Sequence, residues 1–329
     1  MAVGPVGPKV RRRIERIELG ARADALPVVV LSTPTDGPRV AVTANVHGDE
    51  VTGLAAIHEL DRRLQRTLIR GGVVLVPSLN PRGLIQQRRV QPEDGLDLNR
   101  VFPGDADGRG AARIAGAVWQ GLIARGLDGL VDLHADSAVA IPYAIMDRAT
   151  HLQGEARERM DRAVAGLAEA SGLTVIQEYP DDLYMRFRLD RSLAGAMVNH
   201  AGVPAVTLEV GPRRAVSAVA VRRTVAAVLR ILHHLSLLAE RPDEPVSRLA
   251  GGPWRRASAP RVRAAGLFVP SLDPGQIFHT GDVLGEVRAV DGTVREIVRA
   301  EAAGLVVSWS EHAWVDVRGV PGTLGLVDR

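Results

Sequence analysis

Cysteine is absent from all 329 residues, which excludes disulfides, thiolate metal sites and a cysteine nucleophile. Any metal must therefore be held by histidine and carboxylate. Lysine is almost as scarce. Lys9 is the only one, and its place near the amino terminus leaves Schiff-base chemistry and lysine-borne prosthetic groups without a seat in the body of the chain. No apolar stretch approaches the roughly 18 uninterrupted residues needed to span a bilayer. The basic start "MAVGPVGPKVRRRIERIELG" is not followed by an apolar core of signal-peptide length. The sequence therefore predicts a cytoplasmic protein with no membrane partner. Charge of one sign is not in excess either: the formal charge is only +3, and the arginines lie among acids, with residues 11–13 their densest cluster. No nucleic-acid partner is expected. A G-x-S-x-G elbow, a P-loop and a dinucleotide fingerprint are all missing, which leaves serine hydrolases and nucleotide enzymes unsupported.

What is present suffices for a substantial core, since 46% of the residues are hydrophobic, and the length suits one large domain with a small one, or two of ordinary size. Short apolar runs alternate with amphipathic segments as far as about residue 240. Strands are predicted at "PVVVLS", "RVAVTANV", "GGVVLVPS", "GLVDLH" and "PAVTLEV". After Glu50, the residues Leu54, Ile57, Leu60 and Leu64 recur at helical spacing, with Glu59, Arg62, Arg63 and Arg66 elsewhere around the same helix. Further helices are predicted over residues 109–125, 151–170, 190–200 and 215–240. Continuous β-branched runs point to a sheet buried on both faces, hence an α/β fold with a mixed sheet flanked by helices. From "ERPDEPVSRLAGGPW" onward the texture changes to clustered Pro and Gly, then short strands between turns such as "DPG", "TGD" and "VDGT". The expected division is a catalytic domain over residues 1–245 and a small all-β barrel or sandwich over 246–329. The spacing of this tail is similar to that of biotinyl and lipoyl carriers, but without a lysine it cannot carry such a group.

Four stretches carry chemistry. In "TANVHGDEVTG" an apolar strand ends on His47 and Glu50, with Gly48 permitting a tight turn between them; strand ends are where α/β sheets bind ligands. In "DGLVDLHAD" a second strand ends on His134. Two histidines and a glutamate form the set that holds one catalytic Zn2+ while leaving a position for water. His58, His233 and His234 fall in predicted helices, and His279 and His312 in the β tail, and all five read as structural or surface residues. The polar loop "RRVQPEDGLDLNRVFPGD" is either a solvated charged loop or one that brings Arg89, Asn99 and Arg100 together, a set suited to gripping a carboxylate. Finally, "VPAVTLEVGP" interrupts an apolar strand with Glu209. Either an arginine neutralises this carboxylate or it is a general base with a raised pKa, and a neighbouring zinc site favours the second.

Taken in order, "VHGDEVTG", "NPRG", "RVQPEDGLDLNRVFPG", "DLH" and "TLEVG" resemble the succinylglutamate desuccinylase and aspartoacylase family, related to zinc carboxypeptidases, over about residues 15 to 215. The resemblance implies that His47, Glu50 and His134 hold zinc and that Glu209 activates water. It further implies that Arg89 polarises the scissile carbonyl, that Asn99 and Arg100 grip the substrate carboxylate, and that Asp97 accepts a hydrogen bond from His47. Arg191 is similar to an arginine that the family places before the catalytic glutamate, although a longer segment separates the two here. After His134 the chain reads "ADSAVAIPYAIMD", unlike the polar turn of aspartoacylases, so acyl preference is not inherited. Asp136 is expected to meet a cationic substrate group. The family's tyrosine from the β domain has no counterpart, because Tyr143, Tyr179 and Tyr184 all lie earlier; Tyr184 is the expected substitute. The function so implied is zinc-dependent hydrolysis of a small N-acyl amino acid. A metallocarboxypeptidase acting on peptides and a non-catalytic zinc- or ligand-binding protein are the alternatives, and self-association stays open.

Overall fold

In the computed structural model, residues 9–19, 25–257 and 260–327 are described. The strands β1 (Arg11–Glu18), β2 (Ala25–Ser32) and β3 (Arg39–Ala44) lead into helix α1 (Thr52–Thr67). Next come β4 (Gly72–Val76), the short α2 (Pro81–Gln86), α3 (Gly110–Ile123), β5 (Gly129–His134) and β6 (Tyr143–Met146). They are followed by α4 (Gly154–Ala170), β7 (Thr174–Gln177), α5 (Asp181–Arg186), α6 (Leu193–Ala196), β8 (Ala205–Glu209) and α7 (Ala218–His234). The remainder is β9 (Trp254–Ala257), β10 (Gly266–Pro270), β11 (Ile277–Phe278), β12 (Val283–Arg288), β13 (Val294–Arg299), β14 (Gly304–Trp309), β15 (Trp314–Val315) and β16 (Gly322–Val327).

The main sheet runs β1-β2-β4-β3-β5-β8-β6-β7-β9-β16-β14-β11. Its centre, β4-β3-β5-β8, is parallel. Every residue of β4 and β5 is buried, as continuous apolar runs require when helices cover both faces. Ala56, Ile57, Leu60 and Leu64 of α1 pack with Val225, Val228 and Leu232 of α7 on one face, while Ile114 and Val118 of α3 and Leu193 of α6 pack on the other. Full burial of each such leucine contributes about 1.5–3 kcal/mol. Among the described residues no helix is long and apolar enough to cross a membrane.

Several elements depart from the sequence reading. β1, "RRRIERIE", escapes detection because only Ile17 of it is buried; it is an arginine-rich edge strand, a composition that discourages pairing with another chain. The expected helix over 190–200 is instead a 3-10 turn (Leu189–Arg191), the single turn of α6, and a π turn (Met197–Ala201). The tail is all β, but it does not form one separate sheet. β13-β12-β10-β15 make an antiparallel second sheet, whereas β9, β16, β14 and β11 extend the main one, with β9 parallel to β7. Residues 235–253 connect α7 to β9 without helix or extended strand. The parallel register sets Ala44 beside Leu133 and His134 beside Glu209, so the carboxyl ends of β3, β5 and β8 converge.

Candidate active site

The segment leaving β3 is shaped by Asn45, which takes the left-handed conformation at φ 56°, one that short amide side chains tolerate. Its Nδ2 donates to the carbonyls of His47 at 2.9 Å, Gly48 at 3.1 Å and Glu50 at 3.1 Å. Ser78 Oγ donates to Asn45 Oδ1 at 2.6 Å. One side chain therefore satisfies three carbonyls of the turn and fixes its curvature. Gly48 contributes something other than the turn freedom inferred from sequence: a Cβ there would stand 2.1 Å from the Gly83 carbonyl carbon. Its role is to let the turn lie directly against the backbone of α2.

The result aims His47 and Glu50 at His134. Glu50 Oε1 lies 2.8 Å from His47 Nδ1, and Oε2 lies 2.9 Å from His134 Nδ1. A ligand atom from each of the three residues falls within 4.8 Å of the other two, and all three residues are buried. The far nitrogens are also committed, His47 Nε2 at 3.2 Å from Asp97 Oδ1 and His134 Nε2 at 2.9 Å from Asp132 Oδ2. Asp132 in turn accepts from Thr43 Oγ1 at 2.7 Å. Carboxylates on both Nε2 atoms favour the tautomer with a lone pair on Nδ1, the arrangement seen behind metal-ligating histidines. The donor set fits a divalent metal with oxygen and imidazole ligands. Burial alone would raise the pKa of Glu50; the charges of His47 and His134 and the hydrogen bonds they make reverse this and hold it well below the usual range. For His134 burial acts to lower the value, and Asp132 with Glu50 overcomes it, so that the net shift is well upward.

Glu209, at the end of β8, faces this cluster. Its Oε2 is buried with no hydrogen-bond partner. Burial pushes its carboxyl up to about 7, with Glu50 and Asp136 adding to the shift and His134 and Arg256 opposing it. A carboxyl with that value accepts and returns a proton near neutral pH.

The 88–105 loop closes one side. Arg89 Nη1 donates to Glu50 Oε1 at 3.1 Å and its Nη2 to Asp97 Oδ2 at 3.4 Å. For Asp97, burial raises the pKa, but the hydrogen bond and charge of His47, with Arg89 and Arg100, outweigh it and lower the value. Asn99 Oδ1 accepts from the Leu193 N–H at 2.7 Å, so its NH2 end is what it offers to the cleft it lines. Arg100 lines the cleft too and donates to the Asn99 carbonyl at 2.6 Å.

Asp136 also lines the cleft, where its Oδ2 accepts from the Tyr143 hydroxyl at 2.9 Å and its Oδ1 lies 4.0 Å from Arg213 Nη2. Two residues expected at the site lie away from the cleft lining. Tyr184 is fully buried and its hydroxyl donates to Asp147 Oδ1 at 2.8 Å, so the phenol is spent inside the protein and is not among the cleft-lining side chains. Arg191 is exposed and lies outside the cleft as well, because the 3-10 turn that carries it presents Leu189 and Ser192 inward. Sequence reasoning missed Asp132, Tyr143, Glu178, Arg213 and Arg256. Asp132 had a signal, since residues two apart on a strand share a face. Arg256, on β9 of the tail, had none; its Nη1 lies 2.8 Å from Glu178 Oε1 and its guanidinium carbon 5.3 Å from the Tyr179 ring centroid. The tail therefore supplies a cation to a cleft of about 90 Å3.

Comparison with known proteins bears on this arrangement. The model of the succinylglutamate desuccinylase/aspartoacylase catalytic domain matches residues 36–235. The N-alpha-acetyl-L-2,4-diaminobutyric acid deacetylase of Halomonas elongata is 32% identical over 226 residues, which make up 67% of this chain and 62% of the relative. The match thus spans less than two thirds of that curated relative. A solved succinylglutamate desuccinylase from Silicibacter sp. TM1040 superposes with a TM-score of 0.77 at 22% identity, covering 100% of each chain. The product-bound ectoine utilization protein EutE (DoeB) of Ruegeria pomeroyi gives 0.76 at 23% identity, over 99% of this chain and 98% of that one. These solved proteins share the fold. With the domain match running from the strand before His47 to the end of α7, the chain belongs to the succinylglutamate desuccinylase/aspartoacylase family.

Proposed function

We propose that this protein is a zinc-dependent hydrolase that cleaves the amide bond of a small N-acyl amino acid, releasing a carboxylate and a free amine. The observation that carries the reading is the buried, unpartnered Oε2 of Glu209 facing the His47, Glu50 and His134 set. His47 Nδ1, the Glu50 carboxylate and His134 Nδ1 would hold the zinc. Held there, zinc supplies Lewis acidity, acidifying a coordinated water and polarising a carbonyl oxygen. Glu209 takes a proton from the attacking water and passes it to the leaving nitrogen as the C–N bond breaks. One carboxyl thereby acts as base and then as acid. Arg89, hydrogen-bonded to Glu50 in the structure, turns its guanidinium to the carbonyl oxygen and stabilises the charge that develops on it. The NH2 of Asn99 and the guanidinium of Arg100 bind the substrate carboxylate, and Arg89 and Arg256 beside Arg100 make that end of the cleft cationic.

Asp97 and Asp132 position the two imidazoles. Asp136, tied to Tyr143 and close to Arg213, is assigned to a cationic substrate group, in keeping with a free amine on the substrate such as the diaminobutyric acid of the Halomonas relative carries. The division into a domain over 1–245 and a β tail over 246–329 is proposed on the irregular 235–253 connection. The small cleft, walled by Arg256 and Glu178, favours small substrates over the peptides of a carboxypeptidase. Zinc-loaded protein tested against N-acetyl and N-succinyl amino acids, N-acetyldiaminobutyrate and short peptides is expected to hydrolyse the acyl amino acids preferentially. Turnover of peptides alone, or of no amide in the panel, would reject the proposal.

A further inference from the structure

Away from the cleft, the described residues contain one other group of side chains able to share a metal. His151 lies in the turn after β6, Asp190 in the 3-10 turn Leu189–Arg191, and His200 in the π turn Met197–Ala201. One ligand atom from each falls within 4.8 Å of the other two. His151 Nε2 is 3.6 Å from Asp190 Oδ2, and the His151 and His200 rings meet edge to face with centroids 4.7 Å apart. Asp190 is buried, while both histidines reach solvent.

The group is held from behind by one amide. Asn199 Oδ1 accepts from the His151 N–H at 2.9 Å and from Thr150 Oγ1 at 3.2 Å. Its Nδ2 donates to the carbonyls of Arg148 at 2.8 Å and Gly195 at 2.9 Å. The 148–151 turn is thus fixed to the same π turn that carries His200, and π turns recur where a helix must aim a functional side chain. A plain His151–Asp190 ion pair would not explain the second ring. Two imidazoles at that separation repel if both are protonated, whereas a cation shared by both rings and the carboxylate satisfies all three.

We propose that His151, Asp190 and His200 form a second divalent-metal site, distinct from His47, Glu50 and His134, with its remaining coordination positions open to solvent. Two imidazoles and one carboxylate select Zn2+, Co2+ or Ni2+ over Mg2+ and Ca2+, which prefer oxygen ligands alone. The site joins the segment before α4 to the turn before α6. That turn matters to the cleft: Leu189 and Ser192 flank Asp190 and line the catalytic cavity, and the Leu193 N–H holds Asn99. An ion bound here therefore stiffens the wall that positions Asn99.

The test is calorimetric titration of Zn2+ into protein already carrying one equivalent, with the thermal midpoint followed in parallel. Wild type is expected to take up a second equivalent and to melt at a higher temperature once it is bound. His151→Ala and His200→Ala are each expected to lose the second equivalent and the rise in Tm, while keeping the first equivalent and the far-UV circular dichroism of wild type. Asp190→Asn, which conserves side-chain size, is expected to weaken the second equivalent. Mg2+ is expected to give no second binding event. Wild type saturating at one equivalent, or both histidine variants retaining the second, would overturn the proposal.

Discussion

In the proposed reaction Glu209 must be an anion at the start and an acid at the end. With burial setting its carboxyl near 7, kcat/KM is expected to rise with pH through that region and then level. Glu209→Gln is expected to lower kcat by about 10²- to 10⁴-fold with bound zinc unchanged. Near-normal turnover in that variant would remove Glu209 from the chemistry. Asp132→Ala, which frees Nε2 of His134 from its carboxylate, is expected to weaken zinc binding by about 10- to 100-fold; competition with a chelator measures it. The convergence of His47, Glu50 and His134 was legible in the sequence because each stands at or just past the end of an apolar strand, where a polar side chain needs a reason; Glu209 interrupts such a strand in the same way. The placement of Tyr184 and Arg191 was not legible: residue type and order are visible in a sequence, but the direction of a side chain on a short helix or 3-10 turn is not.

The turn after β3 and the hydrogen bond from α5 to the residue after β6 show how local geometry supports the cleft. Gly48→Ala must push the 47–50 turn off the Gly83 backbone, so the variant is expected to fold with weakened zinc affinity; unaltered affinity would show that the close approach is dispensable. Behind the cleft, Tyr184 of α5 donates to Asp147, whose carboxyl is pushed up to about 7, first by burial and then by Glu178. The ordinary value is 3.8, so the folded state holds this proton more tightly than the unfolded chain. The resulting stability is complete below the unfolded value and is lost as pH rises through the folded one. Wild-type Tm is therefore expected to fall between about pH 4 and pH 7, and Asp147→Asn to flatten that fall. Tyr184→Phe leaves the buried carboxyl without its donor and is expected to cost about 1–3 kcal/mol of stability, read by denaturant unfolding. Long periodic helices and buried strands were legible here. The four-residue strands β6 and β7 and the broken 189–201 segment were not, because a run that short carries no period.

The β-rich end of the chain is tied to the preceding α/β elements through β9, which pairs in parallel with β7 and brings Arg256 to Glu178. Composition announced the tail, yet pairing between strands so far apart leaves no trace in spacing, and the likeness to carrier domains concealed its attachment. Arg256→Ala strands a buried Glu178 carboxylate, so a loss of about 3 kcal/mol is expected, largely restored when Glu178→Gln is added. If the double variant is no more stable than the single one, the pair is not what joins the two parts.

The proposed reaction depends on a divalent ion reached jointly from the ends of β3 and β5. An anomalous-difference map collected at the zinc edge, from crystals of protein loaded with one equivalent, tests this most directly. One dominant peak is expected between His47 Nδ1, the Glu50 carboxylate and His134 Nδ1, beside Glu209. A map without a peak there, or with its dominant peak elsewhere, would contradict it.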